Sequence, residues 1–354
     1  MCEVNMNYEF NNELEIQTGE PFTGEKLVKL KQFLSLQDLS YDNQIQYSCN
    51  LIDENYSIIG TGSLDQNVLK CIAIDEKYQG QGLLSKVMTN LTWKAFVNNQ
   101  NHLFLYTKPA NEKMFSDFGF YEIAKTEDVL LMENLKHGIK EYVGEIKEKT
   151  QQKFKNMNQK QVLQGAIIMN CNPFTLGHQY LIEKSASMCD ILHIFVVSND
   201  VSMFSQTARF KLVYEGTKEL SNVILHETKD YLISPATFPT YFIKDKARGE
   251  EINCKLDIEI FRRYIIEALN IKKRFVGTEP NCRLTAFYNQ QLKKYLNKCD
   301  VELVEIERVK RNGVAISASM VRKNMEENKL EEIKSLVPPS TYQYIIEEFY
   351  STTN

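Results

Sequence analysis

Gln164-Gly-Ala-Ile-Ile-Met-Asn-Cys-Asn-Pro-Phe-Thr-Leu-Gly-His178 decides the fold. Residues 166–169 form a short apolar run, the pattern of a parallel strand covered on both faces. Pro173 cannot donate to a sheet ladder and closes the strand. Gly177 lets the backbone come close to a ligand, and a helix over 179–188 opens at the same point. A helix start offers free N–H groups and the positive end of a dipole, which suit a phosphate. His178 stands there with a ring that can donate to a phosphate oxygen, although a histidine at a helix start can equally be a plain surface residue.

Downstream, strand and helix patterns alternate. Strands are predicted over 191–197, 223–226, 274–276 and 301–306, and helices over 207–220, 258–269 and 282–296. Such alternation predicts a doubly wound, mainly parallel sheet, whose ligands bind beyond the carboxyl ends of the strands. Residues 230–255 are rich in Pro, Thr and aromatics, break the alternation and read as an insertion near the site. Its Tyr231, Phe238, Tyr241 and Phe242 could wall a small substrate or simply be core.

A second candidate lies far downstream at Ile316-Ser-Ala-Ser-Met-Val-Arg322. Ser317 can cap a helix over 318–326, an ordinary stabilising role. Ser319 and Arg322 share a face of that helix, so hydroxyls, free N–H groups and a guanidinium could converge on one anion. Val309-Lys-Arg-Asn-Gly313 adds two cations just before it. Gly277, Thr278 and Glu279 follow a predicted strand and could form a turn or touch a nucleotide. Arg209 could reach a phosphate or pair with a surface carboxylate.

Upstream, a helix is predicted over 26–40, strands over 45–52, 56–64 and 68–74, and a helix over 82–97. A strand over 102–107, a helix over 110–117 and strands over 120–124 and 129–132 complete this half. The chain therefore divides into a first domain over 1–135, a lysine-rich helical connector ending in a loose linker over 136–161, and a second domain over 162–354.

A net charge of -4 provides no electrostatic footprint for nucleic acid. No apolar run approaches the roughly 18 residues needed to cross a bilayer, so no membrane association is expected. The N-terminus lacks the basic and apolar regions of a signal peptide. The eight cysteines include no Cys-x-x-Cys pair, which points to a reduced, cytoplasmic protein without structural zinc and with no metal cage.

Thr175-Leu-Gly-His178 and Ser317-Ala-Ser-Met-Val-Arg322 resemble the two signatures of the HIGH-type nucleotidyltransferases, which transfer AMP from ATP. With Asp230-Tyr-Leu-Ile-Ser-Pro-Ala-Thr-Phe-Pro-Thr-Tyr-Phe242 and Phe275-Val-Gly-Thr-Glu-Pro280, the pattern resembles the citrate lyase ligase family over essentially the whole chain. That resemblance implies ATP-dependent conversion of acetate to acetyl-AMP with release of pyrophosphate. The acetyl group would then pass to the thiol of a phosphoribosyl-dephospho-coenzyme A group on the citrate lyase acyl carrier subunit. AMP is released, and citrate lyase is switched on for bacterial citrate fermentation. It also implies His178 and Arg322 as catalytic residues, with Asn172, Pro173, Phe174, Thr175, Gly177, Gly277, Thr278, Glu279, Ser317 and Ser319 at the nucleotide, and Mg2+ accompanying ATP.

Gln79-Gly-Gln-Gly82 follows a strand and opens a helix, and resembles the acetyl-CoA pyrophosphate loop of GNAT acetyltransferases. Lys77 stands where that family usually has Arg or Gln. The first domain is thus expected to be a GNAT-like α/β domain, with Gln79, Gly80, Gln81 and Gly82 holding a coenzyme-A-like arm. Two alternatives remain: an adenylyltransferase of NAD or coenzyme A biosynthesis, and a GNAT protein acetyltransferase. The former needs neither the insertion nor the first domain; the latter needs no ATP.

Overall fold

The computed structural model describes residues 14–155, 162–198, 202–234, 236–237, 246–279, 283–311 and 313–351. The first half runs β1 (Glu15–Gly19), α1 (Gly24–Leu36), β2 (Tyr47–Ile52), β3 (Ile58–Asp65), β4 (Val68–Ile74), α2 (Leu83–Val97), β5 (Phe104–Thr107), α3 (Glu112–Ser116), β6 (Tyr121–Lys125) and β7 (Leu130–Glu133). Its strands form one sheet in the order β1-β2-β3-β4-β5-β7-β6. All neighbours are antiparallel except β4 and β5, which are parallel and pair only at Val68–Phe104 and Leu69–Leu105. Beyond that the two strands part, as in a GNAT-like fold. Leu83, Val87, Leu91 and Ala95 of α2 recur at helical spacing and cover one face of this sheet.

The second half runs α4 (Gly138–Lys153), β8 (Gln164–Met169), α5 (Leu176–Ala186), β9 (Ile191–Val196), α6 (Gln206–Thr217), β10 (Val223–Glu227), α7 (Lys246–Ile260), a π-helical stretch (Phe261–Ile266), α8 (Glu267–Leu269), β11 (Ile271–Gly277), α9 (Arg283–Leu296) and β12 (Glu302–Ile306). A small ribbon follows, β13 (Lys310–Arg311) and β14 (Val314–Ala315). The described chain closes with α10 (Ala318–Glu326), α11 (Leu330–Lys334), α12 (Pro339–Ile345) and a second π-helical stretch (Ile346–Tyr350). Strands order as β10-β9-β8-β11-β12, all parallel. The order reverses between β8 and β11, so the crevice of this doubly wound sheet lies above those two strands. The α/β class and both sheet types agree with expectation.

One local expectation changes. The stretch 230–255 is not irregular throughout, because α7 begins at Lys246. Phe238, Tyr241, Phe242, Pro280, Asn312, Cys2 and Cys282 lie outside the described residues. The connector over 136–161 is helical as expected in its first part, α4. Ile139, Tyr142, Ile146 and Thr150 of α4 are buried. Tyr142 Oη and Lys149 Nζ donate to the carbonyls of Glu227 and Leu225 at 2.9 and 2.7 Å, and Lys153 Nζ donates to that of Val223. These are alternate carbonyls of the edge strand β10. The helix thus covers an edge whose backbone would otherwise be open. The lysines are spent on the sheet, and burial holds both ammonium groups below their usual pKa range. Residues 156–161 lie outside the described residues.

The halves share a core. Val68, Phe104, Tyr106 and Leu131 of the first sheet pack in one cluster with Leu256, Phe261, Ile265 and Leu292 of the second half. Tyr106 Oη donates to Asn253 Oδ1 at 2.7 Å, and Tyr264 Oη to the Ile123 carbonyl at 2.7 Å. At the joint, buried Glu133 receives the Ile139 N–H at 2.8 Å and Tyr231 Oη at 2.8 Å, and lies 2.7 Å from His102 Nε2. Tyr231 stacks on Tyr142 with ring centroids 5.0 Å apart. Of the two roles open to Tyr231, it is core between the halves.

Candidate active site

The helix α5 begins earlier than its pattern suggested, because Thr175 is a strong N-cap. Thr175 Oγ1 accepts the His178 N–H at 3.3 Å, and the Thr175 N–H donates to His178 Nδ1 at 3.1 Å. This reciprocal cap has a chemical consequence. An Nδ1 that accepts a hydrogen bond carries no proton, so in the neutral ring the proton sits on Nε2. Burial, with the nearby Arg308 charge, pushes His178 down to about 4. At neutral pH the imidazole is therefore uncharged, with one donor fixed by its neighbour.

Behind the ring, fully buried Phe174 stacks nearly parallel to it at 6.0 Å. Phe174 thus supports His178 from the core and is not part of the cavity wall. Asn172 Oδ1 receives the Phe204 N–H at 3.1 Å, and the Asn172 carbonyl receives Arg322 Nη1. Pro173, joined to Asn172 by a cis peptide bond, completes the turn.

Gly177 was expected to make room for a ligand. It lies on the wall of the site cavity, and another backbone also approaches it: a Cβ built there would lie 3.0 Å from the Ile316 carbonyl oxygen. The glycine lets the start of α5 press against the segment leading into α10, bringing the two signature segments together. Ser317 caps α10 by accepting the Met320 N–H at 3.2 Å, and Arg322 Nη2 reaches Ser319 Oγ at 3.3 Å. Arg322 thus ties the late helix to the early turn.

A cavity of about 320 Å³ lies at the β8/β11 crevice, and Thr175, Gly177, His178, Gly277 and Glu279 are on its wall. Asn172, Pro173, Thr278, Ser317, Ser319 and Arg322 do not line it. Gly277 and Thr278 are held by the Asn289 side chain, which donates to the Gly277 carbonyl at 3.0 Å, and by Arg308, whose Nε donates to the Thr278 carbonyl at 2.8 Å. Thr278 Oγ1 accepts the Arg308 N–H at 3.3 Å. Glu279 pairs with the Arg308 guanidinium.

Three lining residues escaped sequence reasoning. Arg308 sits just beyond the end of β12, the same position relative to its strand that the other motifs occupy, and this placement could have flagged it. Arg274 is the third of three consecutive cations in β11, after Lys272 and Lys273, and nothing in the sequence sets it apart from them; only its burial does. Tyr288 on α9 carries no sequence signal. Arg209 is not a surface residue. It is fully buried, and its guanidinium donates to the carbonyls of Phe204, Asn170 and Val197 and to Asn170 Oδ1. It is a clamp on the carboxyl ends of β8 and β9.

A second cavity, of about 580 Å³, opens where β4 and β5 part, and Gln79, Gly80 and Gly82 line it. Gly80 and Gly82 have φ of 77° and 75°, which other residues adopt only under strain. A Cβ at either would meet no atom within 4 Å. The loop is held from behind, since the Gln79 and Gln81 amides donate to the Ile74 and Lys77 carbonyls at 3.3 and 3.4 Å.

Among the described residues, no group of three or more His, Cys, Asp or Glu could hold a metal ion, and no helix is long and apolar enough to cross a membrane. Cys49, Cys71, Cys171, Cys189, Cys254 and Cys299 are free thiols.

Residues 164–345 match the profile of the citrate lyase ligase C-terminal domain. Over 64 residues, 18% of this chain and 40% of the relative, the sequence is 41% identical to a phosphopantetheine adenylyltransferase of Staphylococcus haemolyticus. The solved structure of Thermotoga maritima TmcAL bound with alpha-thio ATP covers 52% of this chain and 55% of its own at 14% identity. Its TM-score of 0.33 is too loose to add to the strand order. The citrate (pro-3S)-lyase ligase of Klebsiella pneumoniae is 39% identical over 323 residues, 90% of this chain and 92% of the relative. With the two signatures meeting at one crevice, the GNAT-like sheet before them and likeness across both halves, this chain belongs to the citrate lyase ligase family.

Proposed function

We propose that this chain makes acetyl-AMP at the end of the parallel sheet and passes the acetyl group to a thiol arm lying in the cleft of the first sheet. As a member of its family, it is an ATP-dependent acid–thiol ligase that forms AMP and activates the acyl carrier of citrate lyase. In the first step a carboxylate oxygen attacks the α-phosphorus of ATP. The bond from that phosphorus to the bridging oxygen breaks, and pyrophosphate leaves. In the second step the thiol sulfur attacks the acetyl carbon, its proton is lost, and AMP leaves with the electrons of the C–O bond.

The observation that carries this reading is His178, neutral and fixed with its proton on Nε2, on the wall of the cavity above the β8/β11 crevice. A neutral donor stabilises charge growing on the phosphates without being titrated by it. Gly277 and Glu279 would border the nucleotide. Ser317, Ser319 and Arg322 would receive the β- and γ-phosphates, with Arg322 turning from its present partners to the leaving pyrophosphate. Mg2+ would arrive on the phosphate oxygens, its usual route where a protein builds no dedicated cage, and would neutralise their charge.

The first cleft suits a phosphorylated, extended arm. The open space in front of Gly80 and Gly82 would take a pyrophosphate close to the backbone, and the gap between β4 and β5 would take the chain leading to the thiol. Acetate and an acyl carrier bearing a coenzyme-A-like group are thus the partners proposed. The labour would divide between residues 1–135 and 162–354, with 136–161 as connector, and the free thiols suit the reducing cytoplasm. The decisive test uses ATP, labelled acetate and deacetylated citrate lyase. Label appearing on the acyl carrier subunit is expected; no label from acetate and ATP, with label transferred only when labelled acetyl-CoA is supplied instead, would reject the reading.

A further inference from the structure

We propose that Arg274 receives the carboxylate of the short monocarboxylic acid and positions it for attack on ATP. The proposal deepens the adenylation reading above and rests on it. Arg274 lies in β11, is 2% exposed, and lines the same cavity as His178. Its Nε and Nη1 have no hydrogen-bond partner among the described residues. A buried cation with open donors is costly unless something pairs with it, and its retention calls for a ligand.

The contrast with Arg209 sharpens this. Both side chains are buried. The fold pairs the guanidinium of Arg209 with three carbonyls and an amide oxygen, and leaves Nε and Nη1 of Arg274 without a partner among the described residues. The nearby carboxylate, buried Asp257 on α7, does not close them. Asp257 Oδ1 receives the Ile233 N–H at 2.7 Å and Oδ2 receives Tyr288 Oη at 2.6 Å. The face of Phe261 lies 5.0 Å from the guanidinium carbon and fixes its position. Burial pulls Arg274 down to about 10, so it remains a cation at neutral pH.

The surrounding wall suits a short acyl chain. Ile168, Ile233 and Val276 line the cavity with Arg274 and can enclose a methyl group. One carboxylate oxygen would take a hydrogen bond from Arg274 while the other faces the α-phosphorus. Asp257 and Tyr288 are positioning residues in this arrangement.

The test is acetate-dependent pyrophosphate release by Arg274→Met and Arg274→Lys in the full-length protein, with ATP and acetate titrated separately. Loss of one charge-assisted hydrogen bond should raise KM for acetate about 10- to 100-fold. KM for ATP and calorimetric ATP affinity should stay as in the wild type, and the Lys variant should recover part of the loss. A wild-type KM for acetate in the folded Met variant would overturn the proposal, as would loss of ATP affinity in step with acetate. If the Met variant does not fold, the Lys variant decides by the same criterion. Acetate should also raise the melting temperature of the wild type and not of the Met variant. If wild-type protein shows that shift yet releases no pyrophosphate, the adenylation reading fails while the acetate site stands. If wild type turns over acetate and the variants match it, only the acetate site fails.

Discussion

Two helix starts in this chain carry glycines, and the glycines do opposite things. At α5, Gly177 is closed in, with the Ile316 carbonyl 3.0 Å from where a Cβ would be. It draws two distant signature segments together. At α2, Gly80 and Gly82 face open space and owe their identity to positive φ. One glycine assembles a site from protein, and the other two leave room for something that is not protein. A Gly-rich helix start in a sequence therefore does not say which of the two it is; the difference lies in what tertiary structure puts opposite the missing side chain.

The largest effect expected from breaking this contrast is at α5. His178→Ala should lower acetyl-AMP formation about 10²- to 10³-fold, the usual cost of one fixed donor to transition-state charge. Melting temperature should stay near wild type, and single-turnover formation of acetyl-AMP is the measurement. Gly177→Val should come next, because backbone cannot yield as a flexible side chain can. Acetyl-AMP formation should fall by roughly tenfold or more as α5 and α10 are pushed apart, with a few kcal/mol of stability lost. Full activity in that variant would show that the contact with Ile316 is incidental.

Acid should unsettle the parallel-sheet half first. Burial pushes His178 down to about 4 and His193 to about 3, and holds His226 well below the usual histidine range, 6.5 when unperturbed. Each folded pKa lies below the unfolded one, so between them the unfolded chain binds the extra protons. Stability present above about pH 6.5 is then lost as pH falls toward 4. Urea midpoints measured from pH 7.5 to 4.5 should decline across that window; a flat profile would show that these rings are not buried neutral. The same neutrality predicts no loss of activity from His178 protonation near pH 6.5.

The smallest effect belongs to the helix between the halves. Lys149→Met leaves the Leu225 carbonyl of the edge strand without its donor and should cost about 1 kcal/mol, read as a shifted urea midpoint, with acetyl-AMP formation unchanged.

Much of this was legible in the sequence, and the gaps have causes. The β8–α5 unit and the alternation after it follow from period and from Pro and Gly placement, which are local. The meeting of Thr175, His178 and Ile316 was foreshadowed by two motifs at two strand and helix ends. The docking of α4 was not legible, because its lysines look solvated until an edge strand is placed beside them. Arg209 and Arg274 look alike in sequence and differ only in the carbonyls around them. The N-cap at Thr175 moved the start of α5 ahead of its apolar pattern, because a cap is set by one hydrogen bond rather than by a face.

The division of the reaction between the two cavities is tested most directly by measuring both half-reactions in two full-length variants, His178→Ala and the double substitution Gly80→Val with Gly82→Val. The first half-reaction is acetyl-AMP formation from ATP and acetate; the second is acetyl transfer from supplied acetyl-AMP to the acyl carrier subunit. The expected result is a crossed pattern. His178→Ala loses formation and keeps transfer, and the double glycine variant keeps formation and loses transfer. Folded variants that lose both steps together, or a double variant that transfers normally, would contradict it.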